Sequence, residues 1–398
     1  MNYFKKTVIF LLIFSVSLLG MLLLFYFMAP VYKFSGPVPF EGNKLYNPYE
    51  GMNPTQWKKY TFETLLKPNE VQVSKDINSE SPIDSAYRVL GYDYAVSAGW
   101  QHIEQKNSDK SWFIPTYMHG YNIFKTQQLC IGSDEVLWID LLFFQTSGMK
   151  QWVIDRLRPH NDIIALTHLG RKNGYTFDDL KKLTNYDLLA MSKSAQITVS
   201  SWDTALTAGQ PAFLLVNDDS GDGVNVSDVG NRFTLLNIAE KTRKDVVNAL
   251  KTGNTYGVIL KAIPGESLVE KRDRIRHFPK VTSFDLVGDT LKVKVSTPVS
   301  MIRFVKQRGK EVSRMLSTDS ATYLIQSDDR YVRTEIILSD GSTMYLNPVF
   351  RYSDDKPLSK MKSGIDVNVT GWLRFLYFVI VAVAFWYFTR KLPSKKRS

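Results

Sequence analysis

Apolar residues follow three regimes along this chain. Near the ends lie two unbroken runs, Thr7–Ala29 (TVIFLLIFSVSLLGMLLLFYFMA) and Phe375–Phe388 (FLYFVIVAVAFWYF). From about 57 to 265, short β-like runs alternate with stretches of helical periodicity, and from 280 to 352 the period shortens to two. At about 1.5 Å per residue the first run spans a hydrocarbon core of roughly 30 Å, so a transmembrane helix is expected over 7–29. Its length and the lack of a small-x-small cleavage site after Ala29 favour an anchor over a signal peptide. A second span is expected over 371–388, with Arg374 close enough to its start to reach the interface.

Between these runs, the Pro-, Gly- and Asn-rich segment 30–56 reads as an extended arm. Strands are expected at Tyr94–Ser97, Glu135–Leu142, Ile163–Thr167, Leu188–Met191 and Ala212–Val216. Helices are expected at Pro82–Leu90, Met149–Leu157, Thr176–Leu183, Trp202–Ala208 and Lys244–Lys251. Their alternation predicts an α/β unit over 57–279 with a mainly parallel sheet or barrel. LKVKVSTP, SMIRFVKQ, ATYLIQSD and YVRTEIILSD, separated by turn residues, predict a small antiparallel β-sandwich over 280–352. A polar linker, 353–370, leads to the second apolar run.

Charge changes the picture by its location. The chain has 50 Lys and Arg against 39 Asp and Glu, a formal net charge of +11. Seven of that excess (Lys5, Lys6, Arg390, Lys391, Lys395, Lys396 and Arg397) lie in the acid-free ends 1–6 and 389–398, leaving +4 between them. Basic residues flanking apolar spans favour the cytoplasmic side. The expectation is an inner-membrane protein with both ends cytoplasmic and the main body periplasmic. Other envelope proteins are the expected partners, and nucleic acid is not. Cys130 is the single cysteine, so no intramolecular disulfide forms.

The chemical residues are sparse. His102, His119, His160, His168 and His277 form no HxH, HExxH or HxxxH pattern. GxSxG, P-loop and GxGxxG motifs are all missing. In NDDSGDGVNVSD, 217–228, a calcium loop begun at Asp218 places oxygens and a glycine correctly through Gly223. Its twelfth position falls on Val229, which cannot close the site, so an acidic loop after the apolar AFLLV is the better reading.

Several segments together resemble a known family. NPYEGM (47–52), GYDYAVSAGW (91–100), FIPTYMHGYNIFKTQQL (113–129), DRLRPHNDIIALTHLGRKNGYTFDDLKKLTNYDLLAM (155–191), WDTALTAGQPAFLLVNDDSGD (202–222) and RKDVVNALKTGNTYG (243–257) run in the order found in PHP-type (polymerase and histidinol phosphatase-like) metal-dependent phosphoesterases. The segment YVRTEIILSDGSTMYLNPVF (331–350) is similar to the small C-terminal domain of some membrane-associated members. The resemblance implies a distorted (β/α)7 TIM-like barrel with metals at the C-terminal ends of its strands, followed by the sandwich.

The chain departs from that family at the implied metal positions. Thr61 and Glu63 stand where an opening His-x-His is expected, and Ser97, Ala98 and Gly99 stand for a Thr-Asp-His. Met118, beside His119, replaces a glutamate, and Thr126 or Gln127 a histidine. His168 and Asp219 are retained, and Gly221 replaces the histidine partnered with Asp219. Metal-assisted phosphoryl transfer needs ions to generate hydroxide and clamp charge, and Met and Ala offer no hard-ligand chemistry. The expectation is a degenerate, membrane-anchored pseudoenzyme, with no catalytic residue, metal or other cofactor, serving as periplasmic scaffold or binding subunit of an envelope complex. One alternative is a residual phosphoesterase using a divalent metal at His168, Asp219, Asp218, Glu63 and His119. Another is a ligand-sensing pocket around Trp100, Met118, His119, His168 and the Asp218–Asp219 pair.

Overall fold

The computed structural model of the protein describes residues 2–64, 82–96, 98–105, 108, 110–170, 174–191, 195–218, 229–353 and 360–391. In chain order, the first elements are α1 (Asn2–Met28), β1 (Tyr32–Phe34), β2 (Lys44–Tyr46), β3 (Trp57–Thr61), α2 (Pro82–Val89), β4 (Tyr94–Ala95), β5 (Gly99–Trp100), β6 (Thr116–His119) and β7 (Gln128–Ser133). There follow α3 (Ser147–Leu157), β8 (Asn161–Leu166), α4 (Phe177–Leu180), β9 (Leu188–Met191), α5 (Ala195–Ala208), β10 (Phe213–Val216), β11 (Arg232–Asn237), α6 (Arg243–Thr252), β12 (Thr255–Ile259) and α7 (Leu268–Arg276). The chain closes with β13 (Val281–Val287), β14 (Thr290–Lys306), β15 (Lys310–Leu324), β16 (Tyr331–Ile337), β17 (Thr343–Tyr352), β18 (Ser363–Ile365) and α8 (Val367–Lys391).

Two sheets organise the body, and neither is the expected barrel. One has six strands in the order β10-β9-β8-β7-β6-β5. It is mixed: β8, β9 and β10 run parallel, whereas β7 is antiparallel to both its neighbours. The other has ten strands, with the path β13-β14-β16-β17-β12-β11-β3-β4 and with β15 and β2 joined at its sides. The C-terminal strands therefore continue the sheet that holds β3, β11 and β12 instead of making a separate sandwich, because β17 pairs with β12 over Leu346–Tyr256 to Thr343–Ile259. Strand Gln128–Ser133 is buried at every position, and so lacks the alternation that a one-face-buried strand shows. The expected strand Glu135–Leu142 is irregular; Asp140 at its end instead gathers the amides of Tyr121, Asn122 and Leu141.

Among the described residues the two sheets do not close into a ring: no ladder joins β10 to β11, and none joins β4 to β5. The Thr234 hydroxyl accepts from the Val216 amide at 2.8 Å and donates to the Val216 carbonyl at 2.9 Å. Buried Asn347 receives the Leu214 amide at 2.9 Å and donates to the carbonyls of Gly253 and Thr255. Side chains thus satisfy edge groups that a neighbouring strand would otherwise take, which removes the cost of leaving them unpaired. The two sheets also touch closely here: a Cβ on Gly257 would stand 2.1 Å from Val216 Cγ2.

Among the described residues no helix is long and apolar enough to cross a membrane. This corrects the expectation of two transmembrane helices. Both end helices include charged positions within their bounds, Lys5 and Lys6 in α1 and Arg374, Arg390 and Lys391 in α8. The helices meet where they enter the body. Arg374 Nη2 donates to the Met28 carbonyl at 3.0 Å, and Phe27 packs edge-on against Tyr377 at 5.6 Å. Next to them β1 pairs with β18, and Lys33 bridges Asp366 at 2.9 Å.

The segment expected as an extended arm is laid along the body. After β1, the Val38 amide donates to the Ala208 carbonyl at the end of α5. Gly209 follows at φ +95°, and a Cβ there would lie 1.8 Å from the Val38 carbonyl oxygen. Phe40 then stacks on Phe350 at 4.6 Å before β2 pairs with β17.

Helix α5, the crossover between parallel strands β9 and β10, is tied to the ten-stranded sheet by buried charge. Arg333 on β16 donates Nε and Nη2 to the two carboxylate oxygens of Asp203 on α5, at 2.8 and 2.7 Å. The same guanidinium reaches Glu335, stands 5.2 Å over the Trp202 ring, and shares Asp203 with the Tyr331 hydroxyl. Removing one partner of such a pair leaves an uncompensated buried charge, at a cost of about 3–5 kcal/mol. Asp203→Ala is therefore expected to lower unfolding free energy by that order in urea titrations. The paired replacement Asp203→Leu with Arg333→Met is expected to lose less than either single change, since it buries no lone charge. Equal losses in all three would contradict this role.

Candidate functional site

The sequence-singled positions fall into two groups, one where β3 and β10 of the two sheets end and one on β5 and β6 of the six-stranded sheet. Thr61 ends β3, with Glu63 just beyond it and Asp218 after β10. Gly99, Trp100, Met118 and His119 lie together on β5 and β6, which pair through Gly99–Tyr117 and Trp100–Met118. Val96, just after β4, ties to the first group: its amide donates to the Thr61 carbonyl and its carbonyl accepts from Thr64. Asp219 and Gly221, like Ser97, lie outside the described residues.

Thr61 is fully buried, and its hydroxyl is engaged by backbone. It donates to the Glu63 carbonyl at 3.0 Å and accepts the Asp218 amide at 3.4 Å. Asp218 is also fully buried. Its carboxylate accepts the Tyr87 hydroxyl at 2.6 Å, the Gly230 amide at 2.5 Å and the Arg232 amide at 2.9 Å. Those donors hold the turn that starts β11, so the side chain faces inward. Burial raises its pKa to about 6, outweighing the lowering by Tyr87, Gly230 and Arg232.

The second group is equally committed. His119 has no exposed surface. Its Nε2 lies 3.0 Å from the Ile139 carbonyl and its Nδ1 lies 2.7 Å from Gln128 Oε1. Burial lowers its pKa, opposed by Asp140, Gln128 and the Ile139 carbonyl. A neutral ring has one N–H. That N–H faces one of two acceptor oxygens, the Ile139 carbonyl or Gln128 Oε1, while Gln128 Nε2 donates to the Tyr175 hydroxyl. Each ring nitrogen is turned toward a protein oxygen in the interior.

Met118 is buried, with its sulfur receiving the Thr167 hydroxyl at 3.7 Å. Trp100 is 60% exposed and donates its indole N–H to the Gly120 carbonyl at 2.6 Å. His168 follows Thr167 with φ +51°, a left-handed backbone that a histidine adopts at some cost. Ala98, just before β5, is half-buried. Among the described residues no three His, Cys, Asp or Glu side chains are grouped so as to hold a metal ion. Cys130 is fully buried, and burial pushes its thiol up to about 12.

A concavity lies away from these positions. A cleft of about 800 Å³ opens between α5 and the tip of the β14–β15 hairpin, with the Arg333 network beneath it. Sequence reasoning missed it because its residues come from positions more than 100 apart, none of them in a local motif. The one local signal was polar spacing on α5, where Gln196, Ser200 and Thr204 recur every four residues on one helix face.

No family model matches this chain, and no curated protein matches it. Among solved structures it is similar to a two-domain protein from Bacteroides vulgatus containing a predicted PHP-like metal-dependent phosphoesterase. The identity is 9%, the TM-score 0.37, and the superposition covers 82% of this chain and 99% of that chain. A likeness at that level carries no argument about this chain's activity.

The Asp218 geometry sets a pH dependence. Its folded pKa of about 6 lies above the ordinary 3.8, so the folded state holds the proton longer than the unfolded state. Stability from this group is complete below pH 4 and declines as pH rises to about 6, by roughly 3 kcal/mol for two units. Urea titrations of the wild type and Asp218→Asn at pH 4 and pH 7 are expected to show the wild type losing stability relative to the variant. A difference independent of pH would rule out the shift.

Proposed function

We propose that this chain is a catalytically inactive, PHP-like protein that works as a binding or scaffold subunit of an assembly at the cell envelope. The observation that carries the inactive part is the way the acid-base groups near the expected mouth are used up. Asp218 holds a turn through three donors, and both nitrogens of His119 are engaged inside the protein. Thr61, Ala98, Gly99 and Met118 add no ligand chemistry for a hard cation. Phosphoryl transfer on a metal centre needs open coordination positions and anionic ligands free to face the ion.

The envelope setting rests on exposed apolar side chains of α1 and α8, among them Phe10, Leu12, Phe378 and Val381, each about two-thirds exposed. Contiguous apolar surface of that kind marks contact with other proteins or with lipid. After cell disruption the full-length chain is expected to sediment with membranes and to remain there through a high-salt wash. Recovery in the supernatant would contradict the setting.

Activity is tested directly. Purified full-length protein is expected to release no p-nitrophenol from p-nitrophenyl phosphate or its bis-ester above the buffer rate with Mn²⁺, Fe²⁺, Zn²⁺ or Mg²⁺. Metal-dependent turnover abolished by Asp219→Ala would establish a residual phosphoesterase and overturn the proposal.

A further inference from the structure

The cleft between α5 and the β14–β15 hairpin carries an unbalanced set of charges. Its floor holds three carboxylates, Asp203, Glu311 and Glu335, each already paired with Arg303, Arg314 or Arg333. Its rim adds two more cations, Lys181 after α4 and Arg308 at the hairpin tip. Among the described residues neither rim cation forms an ion pair. The floor is internally neutralised, and the rim presents positive charge with no counterpart.

The backbone at the tip is held against its own preference. Arg308 has φ +64° and ψ +21°, a left-handed conformation that is a genuine outlier for a long side chain. Its amide donates to the Thr207 hydroxyl on α5 at 2.9 Å, which fixes the tip to the helix. That strain keeps an arginine at the cleft rim where glycine would be the easier residue.

The wall opposite supplies neutral hydrogen-bonding groups. Gln196, Ser200 and Thr204 share one face of α5 in the cleft lining. The Ser200 and Thr204 hydroxyls donate back to the carbonyls of Gln196 and Ser200, leaving their oxygen lone pairs as acceptors. Phe177 stands at the edge of the same cleft, half exposed. A volume near 800 Å³ is in the range of small-molecule sites.

We propose that this cleft binds an anionic monosaccharide. Arg308 and Lys181 would take the phosphate or carboxylate, through charge-assisted hydrogen bonds. The α5 hydroxyl and amide face would take the sugar hydroxyls, and Phe177 would cover an apolar ring face. The site is separate from the expected metal mouth and stands whether or not that mouth is inactive.

Isothermal titration of the full-length protein with glucose 6-phosphate, glucuronic acid, glucose and inorganic phosphate tests it. Saturable binding of glucose 6-phosphate or glucuronic acid is expected, and which of the two binds more tightly tells phosphate from carboxylate recognition. Glucose and inorganic phosphate alone are each expected to bind at least tenfold more weakly. Arg308→Gly suits the left-handed backbone and so keeps the fold. It and Lys181→Ala are each expected to weaken binding about tenfold. The proposal is overturned by no saturable binding of either anionic sugar, by glucose or inorganic phosphate binding as tightly, or by affinity unchanged in both variants.

Discussion

The guanidinium of Arg333 is the point on which the two sheets depend for their relative placement. It reaches from β16 into α5, meets both oxygens of Asp203, and lies over Trp202. Glu335 and Arg303 continue the alternation of charge outward, with Arg303 Nε 2.8 Å from Glu335. A network this buried contributes to stability only when every charge has its partner. That condition specifies a single docking of helix on sheet. It also explains why the cleft above it has a polar floor: the charges that lock the interface line the concavity they create.

Side chains doing the work of strands are the second theme. Thr234 and Asn347 serve the open edge of β10. Because those groups are satisfied, the six-stranded sheet can end there, and β12 can give its free side to β17. The C-terminal strands then extend an existing sheet instead of folding apart. The same economy governs the residues near the expected metal mouth, where Asp218 and His119 are held by structural hydrogen bonds.

Local periodicity made much of the fold legible. Leu188–Met191 matches the expected strand, and the helices at Ser147–Leu157 and Arg243–Thr252 lie within a few residues of expectation. What the pattern did not reveal depends on distant partners. Gln128–Ser133 is buried on both faces and shows no alternation. The continuity of β12 with β17 hangs on Asn347, nearly a hundred residues beyond β12. The barrel implied by resemblance assumed ladders from β10 to β11 and from β4 to β5 that are not formed among the described residues. The long apolar runs announced helices, and α1 and α8 are there, but the described residues do not bear out spans. At the site, residue identity at Thr61, Ala98 and Met118 was readable directly. The inward turn of Asp218 was not, since Tyr87 and Gly230 are remote or follow a ten-residue segment.

The central proposal is that the mouth around His168 and Asp218 holds no metal. Equilibrium titration of Mn²⁺ and Zn²⁺ into chelator-treated full-length protein, followed by calorimetry, addresses it without reference to any substrate. The account predicts no saturable uptake at micromolar concentrations. Stoichiometric binding at one or more sites, lost on changing His168 or Asp219 to alanine, would contradict it.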